Sequence, residues 1–196
     1  MNKSAIACPG LYAITPDVDP RSISQRIEAV LAQGISLMQY RRKTADSHQR
    51  EQEVDWLLQR CREYGVPLLI NDDVALCQRI GAQGVHLGKD DVGVAEARQS
   101  LGMAALIGAS AYADLARAQQ LREQGADYVA FGRLFASRSK PDAPGADLSV
   151  LTRARAVLDC PIVGIGGIDR SRASQVFAAG ADLCAMIDGL FGEAGE

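Results

Sequence analysis

The chain has 196 residues, of which 47% are hydrophobic and 23% charged, with a formal net charge of −3. That length suits one domain able to bury roughly 70% of its unfolded surface without a metal or disulfide, and the composition is too apolar for disorder. The acidic balance excludes a basic nucleic-acid-binding surface, and no apolar run approaches the ~20 residues of a membrane helix.

In chain order, short β-branched runs alternate with helical patterns. Strands are expected at Leu11–Thr15, Ser36–Tyr40, Pro67–Ile70, Val85–Leu87, Leu106–Ala109, Tyr128–Phe131, Ile162–Ile165 and Leu183–Ile187. Helices are expected over Ser22–Gln33, His48–Tyr64, Val74–Ile80, Val94–Leu101, Ala113–Gln124, Leu148–Val157 and Ser171–Ala179, from apolar side chains recurring on one face. Gly34, Gly81, Gly125 and Gly180 each close a helix before a strand, and Gly81-Ala82-Gln83, Gly125-Ala126-Asp127 and Gly180-Ala181-Asp182 read as one repeated unit. Strand–helix alternation of this kind points to an α/β fold, a compact (β/α)8 TIM barrel over residues 1–196 as a single domain, with a short or missing final helix after Leu190. The alternative, an open doubly wound sheet, calls for a glycine-rich first turn, and Thr15-Pro16-Asp17 has no glycine.

The five cysteines are scattered without a C-x-x-C pair and only two histidines are present, which argues against a zinc site and against a secreted disulfide framework. The N-terminal residues lack the apolar stretch of a signal peptide, so a cytoplasmic location is expected.

A barrel places its chemistry at the C-terminal ends of the strands. The second strand ends in Gln39-Tyr40-Arg41-Arg42-Lys43, and alternation sends Gln39, Arg41 and Lys43 to one face and Tyr40 and Arg42 to the other. Two cations and an amide at a barrel mouth suit a polyanion such as a pyrophosphate; the bland alternative is a solvated charge run. Asn71-Asp72-Asp73 and Lys89-Asp90-Asp91 follow the third and fourth strands. Their carboxylates either hold a hard cation such as Mg²⁺ or cap the following helices. His86 reads as a buried, hydrogen-bonded histidine within its strand and His48 as a surface residue. Ser110 places a hydroxyl at the fifth strand's end, and a long loop offering Ser137, Ser139 and Lys140 to a phosphate reads as a lid over substrate, the bland alternative being a flexible surface loop. Gly166-Gly167 after the seventh strand and Ile187-Asp188-Gly189 after the eighth fit the phosphate site that these two loops form in many barrels.

Taken together, Gly10–Thr15, Gln39–Lys43, Ile70–Asp73, Gly84–Asp91, Gly108–Ser110, Gly125–Gly132, Ser137–Asp142 and Gly164–Ile168 resemble the thiamine-phosphate synthase family over nearly the whole chain. The resemblance implies a transferase in thiamine biosynthesis. It would join 4-amino-2-methyl-5-hydroxymethylpyrimidine pyrophosphate to a thiazole phosphate, or to its carboxylated form with loss of CO₂, releasing pyrophosphate. Carried over by position, Gln39, Arg41, Lys43, Asn71, Ser110 and Lys140 would hold the pyrimidine pyrophosphate, with Tyr40 and Arg42 in the same binding stretch. Asp72 and Asp91 would ligate one Mg²⁺ per subunit, and Ser137, Arg138, Ser139, Gly167, Ile187 and Asp188 would surround the thiazole phosphate. Arg41, Lys43, Lys140 and Ser110 would form the catalytic set. The partners implied are small-molecule substrates, with neither nucleic acid nor membrane involved and a homo-oligomer compatible with the chain.

Three departures stand out: serines replace the usual threonines of the T-x-T-K loop, Arg138 between them adds a positive charge that would assist phosphate binding, and Asp188 stands where the family usually carries serine. A carboxylate beside a phosphate is repulsive, so the Asp188 side chain is expected to point away and leave backbone N–H groups to bind. The related thiazole tautomerase usually lacks the Asn-Asp-Asp stretch and carries a histidine after the fifth strand; here the stretch is present and Ser110-Ala111-Tyr112 has no histidine. A non-catalytic thiamine-phosphate binding protein should have lost cationic or metal positions, and this chain keeps them.

Overall fold

The computed structural model describes residues 6–136 and 146–192. Their strands form a closed parallel barrel in the order β1 (Gly10–Ile14), β2 (Leu37–Tyr40), β3 (Leu68–Asn71), β4 (Gly84–Leu87), β5 (Leu106–Tyr112), β6 (Tyr128–Phe131), β7 (Ile162–Ile165) and β8 (Leu183–Met186). Closure is made by β8 pairing with β1, Gly10 opposite Leu183 and Ala13 opposite Met186. Around the barrel lie α1 (Ser24–Leu31), α2 (Ser47–Glu63), α3 (Val74–Ile80), α4 (Val94–Leu101), α5 (Leu115–Glu123), α6 (Ser149–Arg155), α7 (Arg170–Ala178) and α8 (Asp188–Phe191).

The period-two alternation of each strand divides the core in two. Met38, Tyr40, Ile70, Val85, Val129 and their outward-facing neighbours pack against the helices. Tyr12, Ile14, Leu37, Leu69, Tyr128, Val163 and Leu183 fill the barrel interior.

The strands fall where expected to within two residues, except that β5 runs on to Tyr112 through a register shift between Ser110 and Tyr112. The first helix begins later than Ser22, because Asp19 caps a 3-10 turn at Pro20–Ile23 whose proline occupies the first turn. The last helix is a single short turn starting at Asp188 rather than a segment after Leu190.

The repeated glycine unit has a structural meaning at the N-terminal face. Gln83, Asp127 and Asp182 each donate a backbone N–H to the first or second residue of the preceding strand, Leu68, Ile107 and Ile162 in turn. Each also accepts that residue's N–H on its side chain, at 2.9, 2.9 and 2.7 Å. An N–H at the start of a buried strand needs an acceptor, and a short side chain just before the next strand supplies it. Arg98 pairs with Asp127 at 2.6 Å in a largely buried contact, and Arg155 pairs with Asp182.

Candidate active site at the barrel mouth

Two residues of the first strand–loop segment build the cationic corner. Thr15, buried beyond β1, accepts the Arg41 N–H on its hydroxyl at 2.8 Å. Asp17 Oδ1 accepts the N–H groups of Lys43 (2.9 Å) and Thr44 (3.3 Å) and the Arg42 guanidinium (3.1 Å). These contacts hold its carboxyl below the usual range against the opposing effect of burial. Sequence reading missed both residues as site builders; the signal available was an aspartate and a threonine directly after a strand, the residue types that bind loop backbone.

The expected alternation along Gln39–Lys43 is partly visible. Gln39 is buried inside the barrel, where its Nε2 donates to the Tyr12 hydroxyl at 2.5 Å. Tyr40 turns outward and donates its hydroxyl to Glu53 of α2 at 2.7 Å, and Arg42 sits 3.4 Å from the same carboxylate. Burial and Glu53 raise the Tyr40 pKa. Tyr40 and Arg42 are thus engaged by carboxylates of their own chain, although with Lys43, Asn71 and Asp72 they also line a cavity of about 460 Å³. The charges of Lys43 and Arg41 both favour the ionised form of Asp72.

The aspartates divide between capping and the site. Asp73 caps α3, accepting the Leu76 N–H at 2.8 Å, and pairs with Arg50 at 2.9 Å. Asp72 does not cap. Its backbone has φ 65°, an uncommon conformation for a non-glycine residue, and Asn71 Nδ2 donates to its Oδ2 at 2.6 Å. Nor does Asp90 or Asp91 cap α4: the N-cap is Gly93, with no side-chain bond. Asp91 instead accepts the Gly88 N–H at 2.6 Å. Burial, then the nearby Asp91 carboxyl, raise the Asp72 pKa to about 6. Two carboxylates drawn together beside two cations form a hard-oxygen donor set that fits Mg²⁺. Among the described residues no third acidic, histidine or cysteine side chain joins them, so water and phosphate oxygens would complete the shell.

His86 is buried within β4 as expected, with Nδ1 2.9 Å from the Tyr128 hydroxyl and Nε2 2.9 Å from Ser110 Oγ. Burial lowers its pKa to about 4. His48 is exposed. The irregularity in β5 leaves Ser110 half-buried at the mouth and Tyr112 exposed with φ 60°.

Across the mouth, Gly166 and Gly167 turn at φ 100° and 63°. A Cβ on Gly166 would come within 2.8 Å of the Arg133 backbone, so the loop tolerates no side chain there. Arg172 donates to the Gly167 carbonyl at 2.6 Å and lies over the Phe135 ring. Ile187 is half-buried over the interior cluster and Asp188 is exposed. Ser137, Arg138, Ser139 and Lys140 lie outside the described residues.

Comparison with known proteins yields a consistent picture. A thiamine monophosphate synthase family profile matches residues 11–190. Thiamine-phosphate synthase of Azoarcus sp. strain BH72 is 50% identical over 94% of this chain and 90% of its own length. That of Halorhodospira halophila is 45% identical over 97% and 90%. Among solved structures, thiamine phosphate pyrophosphorylase from Pyrococcus furiosus superposes with a TM-score of 0.85 at 28% identity, covering 98% of this chain and 90% of its own.

Proposed function

The chain belongs to the thiamine monophosphate synthase family, and on that premise we propose how its barrel mouth makes thiamine phosphate. The chain is a transferase that condenses the pyrimidine pyrophosphate with the thiazole phosphate. The observation that carries the site assignment is the pair of neighbouring carboxyls, Asp72 and Asp91, at the strand exits, with Asp72 lining one cavity with Lys43 and Asn71 and feeling the charges of Lys43 and Arg41.

In this reading the pyrophosphate docks between Arg41, Lys43, Asn71 and Ser110, with Lys140 approaching from the loop after β6. Asp72 and Asp91 would hold one Mg²⁺ per subunit, which supplies charge neutralisation to the pyrophosphate oxygens. The C–O bond between the pyrimidine methylene and pyrophosphate breaks, and its electron pair leaves with the pyrophosphate. The pyrimidine ring, pushed by its amino group, bears the positive charge on the methylene. The thiazole nitrogen then donates its lone pair to form the C–N bond, and a carboxylated donor would also release CO₂. Arg41, Lys43 and Lys140 stabilise the charge that grows on the leaving group, where preorganised cations act more strongly than water. Thr15 and Asp17 hold two of those cations in place through their backbone. No protein nucleophile is required; orientation and exclusion of water complete the catalysis.

Gly167, Ile187 and the backbone around Asp188 would receive the thiazole phosphate, joined by Ser137, Arg138 and Ser139. All five cysteines are free thiols, which suits a reducing cytoplasm. No helix among the described residues is long and apolar enough to cross a membrane.

The test is direct. Purified protein is incubated with both substrates and Mg²⁺, and thiamine phosphate is quantified. Product that disappears on chelation and returns with Mg²⁺ is expected. Absence of product at any metal concentration would overturn the proposal.

A further inference from the structure

The barrel interior carries a line of polar groups of which only the last, Ser110, enters the docking of pyrophosphate described above. It begins at Gln39 on β2, passes through Tyr12 on β1, Tyr128 on β6 and His86 on β4, and ends at Ser110 on β5. Tyr12 and Tyr128 meet across the barrel with hydroxyls 2.9 Å apart and rings edge-on at 5.9 Å. His86 stacks on Tyr128 at 5.7 Å. Gly108 makes the path possible, because a Cβ there would overlap the Tyr128 ring.

The line has one direction. An amide nitrogen only donates, so Gln39 Nε2 gives its proton to the Tyr12 oxygen. The Tyr12 proton is then directed to Tyr128, and the Tyr128 proton to His86 Nδ1. The imidazole is buried and both of its nitrogens touch neutral hydroxyls. It therefore carries a single proton, and an accepting Nδ1 places that proton on Nε2. Nε2–H donates to Ser110 Oγ, whose partner among the described residues is His86. Among the described residues the Ser110 proton has no acceptor inside the barrel, which leaves it for the mouth.

We propose that Tyr12, Tyr128 and His86 form a directional hydrogen-bond relay that makes Ser110 an obligate donor to the pyrophosphate, with His86 as its positioning residue. The proposal rests on the reading above that Ser110 faces the pyrimidine pyrophosphate. With the opposite direction, the Ser110 oxygen would turn lone pairs towards an anion. The relay excludes that state before substrate arrives and removes a rotational choice from the binding step.

The chain's two histidines make the direction measurable. The His48→Asn variant, altered at an exposed residue, leaves one imidazole in a ¹⁵N-labelled protein. Two-bond ¹H–¹⁵N correlation then reads which ring nitrogen of His86 is protonated. A proton on Nε2, with the single tautomer lost in Tyr128→Phe, is expected. A proton on Nδ1 in the His48→Asn protein would overturn the relay. This readout needs no turnover, so failure of the relay is distinct from failure of the synthase reading, which the product assay decides alone. Kinetics give a second arm. Loss of one hydrogen bond to a charged group should raise the KM for pyrimidine pyrophosphate about tenfold in His86→Asn. The KM for thiazole phosphate should stay unchanged, and His86→Gln, whose amide donates from the Nε2 side, should recover most of the loss. An equal rise in both KM values, or no rescue by glutamine, would also overturn it.

Discussion

The carboxyl groups of Asp72 and Asp91, at the exits of neighbouring strands β3 and β4, lie close enough that Asp91 raises the Asp72 pKa. Like charges this near favour a proton on one of them, so the pair is an acid without a cation and a ligand set with one. Burial first and Asp91 second raise the Asp72 pKa to about 6, and a divalent ion would replace the proton that this environment favours.

That exchange has a signature in stability. The folded pKa of Asp72 lies above its ordinary value, so the folded protein holds a proton that the unfolded chain releases. In metal-free protein the contribution is full below the unfolded pKa of about 4 and is lost as pH rises through about 6. Mg²⁺ binds the fully ionised pair, so it should raise the melting temperature more at about pH 8 than at about pH 5. Thermal melts with and without Mg²⁺ at both values check this, with Asp72→Asn expected to abolish the difference. An equal Mg²⁺ effect at both values would contradict it.

Asp17 acts on substrate through the Lys43 and Thr44 backbone. Asp17→Ala frees that segment, and the KM for pyrimidine pyrophosphate should rise by about tenfold, the effect of one or two lost backbone hydrogen bonds. Asp17→Asn keeps an acceptor oxygen and should recover much of the loss. Steady-state kinetics on both variants measure it.

Asp127 is a stability residue of the opposite face. Asp127→Ala removes the counter-charge of the largely buried Arg98 guanidinium, leaving it its carbonyl partners, and strands the Ile107 N–H. The expected loss is about 3 kcal/mol or more in urea unfolding, with the KM values of the folded fraction unchanged. A shift in KM would show that the strand clamp reaches the mouth.

Asp188 is exposed, at the first residue of α8. Asp188→Ser should change the KM for thiazole phosphate by less than about threefold, the scale of a screened surface charge. Sharply tighter binding would show that the carboxylate points at the phosphate.

The barrel was legible because each strand's apolar run and each helix-ending glycine is a local signal. The site was legible only in part. Whether Asp72 or Asp73 capped α3 could not be read from adjacent identical side chains; it is decided by φ 65° at Asp72, a backbone state set by where β3 ends. Asp91 looked equally suited to cap α4 until Gly93 took that position. The Tyr12–Tyr128 contact joins residues 116 apart and exists only once the barrel closes, so each tyrosine alone reads as core. Gly108 carried a hint, since a glycine inside a strand marks a close approach, but not what approaches. Glu53 sits on an otherwise apolar helix face, and its role emerges only with Tyr40 and Arg42 packed on it.

The most direct measurement of the central claim is the Mg²⁺ dependence of thiamine phosphate formation in Asp91→Ala against the unaltered protein. Removing one of two carboxylate ligands should move the half-saturating Mg²⁺ concentration upward by about tenfold or more, with the rate at low Mg²⁺ falling in step. An unchanged Mg²⁺ curve with unchanged rate would contradict the assignment of Asp72 and Asp91 as the metal-holding pair.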